Sequence, residues 1–433
     1  MLAAVHRYVL SFGFVVWLWA FIFARIPLAA IQHYFGLESR PFVLTNLISI
    51  GLALVAFNDV RWKPILFLKR RRVVLAAAAA LFTYWILYFL RLGFDTFIDP
   101  VDFIENGFSL AKGFVNSTLI SILCLPWILT LRRNYFSIDL FALLGSVSVC
   151  IGAVAYLMKP FKDGIYYTRF GFEDLNPIPA GHSSASLVII GVLLFVLRLT
   201  EDRSLRTNLF LVLNAACAVL IGLWGVRLSM TRSSYLALVP VIVFGLLWLW
   251  RRGLHYRWVF FAGVSTFLVF VVSKISNILG RDSFFQDPSA SGRLTRFAAV
   301  WEWISANPFL GVGFRAQILM KALPEPASHW YSHNLFLETY IIGGLLMFIA
   351  LVIFLSTVIR SIWTVLNIQW SHPGTDLTAL ALAFLWIQAL ILACFSGHPA
   401  LLPGFWVGGS LVVLAINPVI FLEARSSACS PMG

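Results

Sequence analysis

One polar stretch carries the residues of this sequence best suited to chemistry on a charged substrate. Residues 280–338 read GRDSFFQDPSASGRLTRFAAVWEWISANPFLGVGFRAQILMKALPEPASHWYSHNLFLE and interrupt a chain that is otherwise apolar almost throughout. They hold Arg281, Arg293, Arg296 and Arg315 and the histidines His329 and His333; Arg227 and Arg232 lie just upstream in RLSMTRSSYLAL. A guanidinium is always charged and offers a planar fork to phosphate oxygens. A neutral imidazole can take a proton from a hydroxyl. Together these are the parts of a transfer away from a phosphate or diphosphate: cations hold the leaving group, and the base activates the nucleophile. His333, at the edge of the next apolar run, is the candidate base, and His329 is its competitor. Arg232, Arg293 and Arg315 are the candidate phosphate ligands, with Arg296 a further one. A single arginine at a membrane edge also snorkels to lipid headgroups, so the anion-site reading rests on the group. His329-x-x-x-His333 lacks the glutamate of an H-E-x-x-H site. Neither a metal nor a cofactor is expected.

The elements that position these residues follow from composition. The chain has 433 residues, 60% hydrophobic and 12% charged, with 16 Trp and 39 Phe. Soluble domains carry roughly 25% charged residues. Apolar runs of about 18–23 residues suit membrane helices and are twice the length of a barrel strand. The fold class is therefore all-α: a polytopic integral membrane protein of about twelve transmembrane helices with one long insert. The spans fall near 8–30, 42–58, 73–94, 113–131, 138–158, 183–200, 208–228, 233–250, 258–279, 335–357, 376–395 and 405–422. Three regions result: N-terminal membrane helices over 1–279, the insert over 280–334 and C-terminal membrane helices over 335–433. The formal net charge of +13 reads as anchoring charge rather than a nucleic-acid surface. The cysteines Cys124, Cys150, Cys217, Cys394 and Cys429 show neither a CxxC nor a zinc spacing. Residues 8–30 read as a retained span rather than a cleaved signal.

Basic clusters set the orientation. Arg61, Lys63 and Lys69 to Arg72, then Arg132 and Arg133, Arg203 and Arg206, and Arg251, Arg252 and Arg257 alternate with loops bearing Asp95, Asp99, Asp102 and Glu105, or Glu173 and Asp174. The basic loops read as cytoplasmic, with both termini inside. The insert then lies on the opposite face, the periplasm of a bacterium, where nucleotide donors are absent and a membrane-borne phosphate or diphosphate is the anion to meet. Within it, residues 287–292 read as a turn and 293–306 as an amphipathic helix presenting Leu294, Phe297, Ala298, Trp301 and Ile304 on one face. Gly311-Val-Gly313 reads as a flexible turn.

A second outer loop, KDGIYYTRFGFEDLNPIPAGHSSASL, places Lys162, Arg169 and Pro179-Ala-Gly-His182 in a pattern that resembles the first two motifs of type-2 phosphatidic acid phosphatases. Phe170 stands where that family has proline after the arginine. The third motif, which supplies its nucleophilic histidine, has no counterpart after Thr231-Arg232. Arg169 and His182 are kept as further candidate site residues.

Thr231-Arg232-Ser233, Ser291-Gly-Arg293, Asn307-Pro-Phe-Leu-Gly-Val-Gly313 and His333-Asn334-x-x-Leu337-Glu338 followed by Gly343-Gly344 together resemble the O-antigen ligase and polymerase superfamily, over roughly residues 228–348. These are integral-membrane glycosyltransferases acting on undecaprenyl-diphosphate-linked glycans. The resemblance implies that Arg232 and Arg293 engage the donor diphosphate and that His333 is the catalytic base; Arg315 matches less securely. It further implies a metal-independent, inverting transfer of polysaccharide to the lipid A–core oligosaccharide on the periplasmic face of the inner membrane. The partners are then the lipid-linked glycan, lipid A–core and membrane lipids, with no nucleic acid. The rival readings are an O-antigen polymerase, a protein O-oligosaccharyltransferase and, outside the enzymes, a polysaccharide transporter or flippase. Transport calls for charges lining a path near mid-membrane, whereas charges here gather at span ends.

Overall fold

The computed structural model describes residues 2–35, 41–60, 72–100, 102, 105–135, 138–158, 170, 177–199, 205–251, 288–325, 327–371, 377–396 and 398–415. Arg169, Arg281, the predicted span 258–279 and the end of the predicted span 405–422 lie outside them. The described chain is helical, and the protein is an all-α polytopic membrane protein. Seven helices among the described residues are long and apolar enough to cross a membrane, or eight with one bent pair. Ile138–Met158, with 21 residues, is about 31 Å long at 1.5 Å per residue and matches a bilayer core.

In chain order, α1 (Leu2–Ile22) and α2 (Arg25–Phe35) form the bent pair, at 63°. The single predicted span 8–30 is thus broken. Pro27 has no N–H to donate to Phe23 and disfavours helical backbone just before it. Then come α3 (Pro41–Val60), α4 (Arg72–Gly93) with a π-helical turn at Phe94–Ile98, α5 (Gly107–Phe114) with a second π turn at Val115–Leu119, α6 (Ile120–Tyr135) and α7 (Ile138–Met158). Helix α8 (Pro177–Leu199) is the most enclosed span. It packs on α9 (Leu205–Ser229) at backbone distance, because a Cβ at Gly222 would meet the Ser184 carbonyl at 2.8 Å. In lipid, where burial offers little drive between helices, such close contact supplies the adhesion.

Short α10 (Arg232–Leu236) leads into α11 (Val239–Arg251). The insert contributes α12 (Pro288–Ala306) and α13 (Arg315–Lys321). Helix α12 starts at Pro288, ahead of the predicted Arg293, since proline is preorganised for the first helical position. Its buried face follows the predicted apolar stripe only at Ile304, which is 4% exposed. Gly292, Arg296 and Val300 point inward, four residues apart, while Leu294 and Trp301 are exposed.

Helix α14 (Leu335–Ser371) has 37 residues and runs past the predicted end at 357; backbone at Gly344 is non-helical, φ 65° and ψ −159°. Helices α15 (Leu377–Ser396) and α16 (Pro403–Ala415) complete the described chain. The break at Gly344 has a partner. Gly311 and Gly313, at φ 67° and 74°, fold the Asn307–Gly313 segment onto it. The amides of Val312 and Gly313 donate to the Ile341 carbonyl at 2.6 and 3.1 Å, and the Leu345 amide donates to Pro308 and Phe309. The broken helix and the loop thus satisfy each other's backbone groups, as burial requires. The Gly-Val-Gly turn is a fixed dock, contrary to the flexible turn predicted.

Candidate functional site

Loop 327–334 carries both insert histidines and ends in the cap of α14. The Asn334 side-chain oxygen accepts from the Phe336 and Leu337 amides at 3.0 and 3.2 Å, a helix N-cap, while its amide group donates to the Cys394 carbonyl of α15 at 3.1 Å. The residue before it, His333, has left-handed backbone, φ 62°. That conformation costs a residue with a Cβ about 1–3 kcal/mol unless its surroundings hold it. Here they do. The Ser332 amide donates to Glu338 Oε2 at 2.7 Å, and the Ser332 hydroxyl donates to the Asn334 carbonyl at 3.0 Å.

The two imidazoles meet through this loop, not on a helix face: their ring centroids are 4.1 Å apart, with Tyr331 4.1 Å from His333. Nδ1 of each is buried with no hydrogen-bond partner among the described residues. Burial, then His329, Arg296 and Arg293, pushes His333 down to about 2. Burial, then Arg296, Lys321 and Arg293, pushes His329 down to about 4. Both rings are therefore neutral at physiological pH, and both sense the arginines of α12.

Those arginines sit three apart on α12 and so share a face. Arg296 is 4% exposed. Its Nε donates to the Ala327 carbonyl at 2.9 Å, while Nη1 is buried with no partner among the described residues. Burial, then Arg293, lowers its pKa, with Tyr331 and Glu338 opposing. A buried guanidinium with a free nitrogen beside a second arginine is a place where an anion is favoured.

Arg232 is exposed at the start of α10, behind Thr231, whose hydroxyl lies 2.9 Å from Ser229 Oγ and 2.6 Å from Ser234 Oγ. Helix α10 packs on α15, the helix that holds Asn334, so Arg232 is one helix removed from the histidine loop. His182 joins its Nε2 to Ser233 Oγ at 3.0 Å and faces Gln388 through Nδ1 at 3.5 Å. Its ring thereby ties α8 to α10 and α15. Arg315, at the start of α13, is ion-paired with Asp99 at 2.7 Å, both half exposed.

Two further residues, Glu338 and His398, meet beneath the histidine loop. Glu338 closes the quoted motif and proves to be fully buried. His398 stands alone in a short inter-span loop, 2% exposed, with its Nε2 3.9 Å from Glu338 Oε1. The alternation of loops puts residues 396–404 on the face of the insert, which is the signal that could have flagged it. The insert also meets the loop after α4, assigned to that same face. The Phe314 amide donates to Asp95 Oδ2 at 2.7 Å, and Gln317 Oε1 accepts from the Glu105 amide at 2.9 Å.

The motifs that form this loop, its capped helix and the Gly-Val-Gly dock lie within one segment, and comparison with known families covers that segment. Residues 215–355 match the O-antigen ligase family. The match supports membership of the O-antigen ligase superfamily, whose members are glycosyltransferase-like enzymes of O-antigen biosynthesis. It spans α9 through the middle of α14, including Arg232, Arg293, Arg296, His329, His333 and Glu338. His398 lies beyond it. A search of curated proteins returned no match.

Proposed function

We propose that this protein is an O-antigen ligase, which transfers polysaccharide from undecaprenyl diphosphate to a lipid A–core sugar at the periplasmic face of the inner membrane. The observation that carries this reading is buried Arg296 of α12 bonded through Nε to the Ala327 carbonyl, at the start of the loop that brings the His329 and His333 rings to 4.1 Å. In the reaction, His333 accepts the proton of an acceptor hydroxyl. The oxygen attacks the anomeric carbon from the side opposite the leaving group. The bond from that carbon to the diphosphate oxygen breaks, and the configuration inverts. Arg293 and Arg296, joined by Arg232 from α10, neutralise the charge that grows on the departing diphosphate.

Donor binding also prepares the base. Burial does most to hold the basicity of His333 down, followed by His329, and Arg296 and Arg293 add to it. An anion between them offsets that repulsion and raises the basicity of the imidazole as the donor arrives.

Reconstitution of the full chain with purified undecaprenyl-diphosphate glycan tests the reading, offering either lipid A–core or a second lipid-linked glycan as acceptor. A ladder on lipid A–core is expected. Growth only on the lipid carrier makes the protein a polymerase, and a product of retained configuration removes the direct displacement. Glycan crossing the bilayer with no bond formed makes it a transporter.

A further inference from the structure

Two buried groups behind the histidine pair have no part in the reaction above. Glu338 spends one carboxylate oxygen, Oε2, on the Ser332 amide at 2.7 Å. Its Oε1 has no hydrogen-bond partner among the described residues and faces His398 Nε2 at 3.9 Å. Both side chains are 0% exposed. Both ring nitrogens of His398 are likewise without a hydrogen-bond partner among the described residues. Trp330 and Tyr331 pack on that ring, with centroids 5.1 and 6.1 Å away, and Tyr331 continues to His333 at 4.1 Å.

Groups so enclosed do not touch a substrate. Their influence runs through the loop they support. The Ser332 amide belongs to the residue just before left-handed His333, and Glu338 holds it. The Asn334 cap holds the other side. His398 backs the carboxylate from a loop beyond the family-matched segment, so the C-terminal helices take part in the same construction.

We propose that Glu338, backed by His398, is a positioning residue for His333: its carboxylate clamps the Ser332 amide and so fixes the turn that aims the imidazole. The proposal rests on His333 being the base, and its test separates the two ideas.

Glu338→Ala, Glu338→Gln, His398→Asn and His333→Ala are made in the full chain. They are assayed for transfer from undecaprenyl-diphosphate glycan to lipid A–core and for deuterium uptake of residues 327–337. Glu338→Ala should lower kcat about a hundredfold with the donor KM within about twofold, the pattern of a lost transition-state alignment. Glu338→Gln keeps an oxygen for the Ser332 amide and should recover to within about tenfold of wild type. His398→Asn should lower kcat about fivefold at unchanged donor KM. Uptake should rise in Glu338→Ala and His398→Asn and stay at the wild-type level in Glu338→Gln. Wild-type kcat and uptake in Glu338→Ala overturn the clamp, as does a Glu338→Gln no better than Glu338→Ala. If Glu338→Ala does not insert, Glu338→Gln and His398→Asn decide: wild-type kcat and uptake in His398→Asn overturn the proposal. Normal transfer by His333→Ala removes the base while the uptake results still report on the clamp.

Discussion

At Arg315 the ion pair to Asp99 is exposed on both sides, and such pairs contribute about 0–1 kcal/mol. Arg315→Ala should therefore leave transfer within about threefold of wild type. Arg293→Lys keeps the charge but loses the fork and should lower kcat/KM by tenfold or more, on the order expected for a bidentate contact. His333→Ala should cost about 10²–10⁴ in kcat, the usual share of a positioned base, with donor binding retained. Steady-state assays of the three variants check this ordering. The histidines also make stability pH-dependent. His329, His333 and His398 are held below their ordinary value, chiefly by burial, to about 4, 2 and 3. For a base with a depressed folded pKa, the unfolded chain binds protons first as pH falls. Their stabilising contribution is whole above about 6.5, the unfolded value, and declines as pH falls from there toward the folded values. Thermal unfolding in detergent should show Tm dropping between pH 7 and 4, and less steeply in His329→Gln.

At the scale of the element, the glycines of the insert and of α14 form a single joint. A Cβ at Gly344 would lie 2.1 Å from the Phe309 carbonyl oxygen, and one at Gly311 would lie 2.4 Å from that of Ile341. Both positions also have left-handed φ, 65° and 67°. Gly344→Ala should destabilise the protein by more than about 2 kcal/mol, because strain and overlap coincide there. Gly51 on α3 has open space around its position. Gly51→Ala should be neutral or stabilise by up to about 1 kcal/mol. Comparison of the two midpoints in one detergent decides whether the joint is as rigid as its hydrogen bonds indicate. On α12, exposed Leu294 and Trp301 lie on the side away from Arg296. The same helix can thus rest on lipid while turning its arginines toward the histidines.

At the scale of the molecule, the candidate site draws on elements far apart in sequence. Loop 327–334 stands on α14 and is tied to α15 by Asn334 and to the loop before α16 by Glu338 and His398. The insert is pinned to the end of α4 by Asp95. Loops assigned by charge to one face of the membrane are the ones that meet. In a cysteine-replaced background, Ser328→Cys should react with an impermeant maleimide from the periplasmic side, and Ser204→Cys only after permeabilisation. The reverse pattern would invert the orientation and remove a periplasmic donor.

Residue types and run lengths alone were enough for the membrane class and the helical fold, and they singled out His333, Arg232, Arg293 and Arg315, with Arg296 and His329 beside them, as candidates for chemistry. Those follow from apolar run length and from residue type, which are local properties. The broken first span, the early start of α12, its inward face carrying Arg296 and the long broken α14 were decided by packing. An arginine among apolar residues can face inward only when a carbonyl such as that of Ala327 is there to receive it. The pairing of Arg315 with Asp99, more than two hundred residues earlier, is likewise visible only in the folded chain. Glu338 and His398 acquired meaning only when tertiary structure enclosed them together, because a buried carboxylate and imidazole are defined by their neighbours and not by their spacing along the chain.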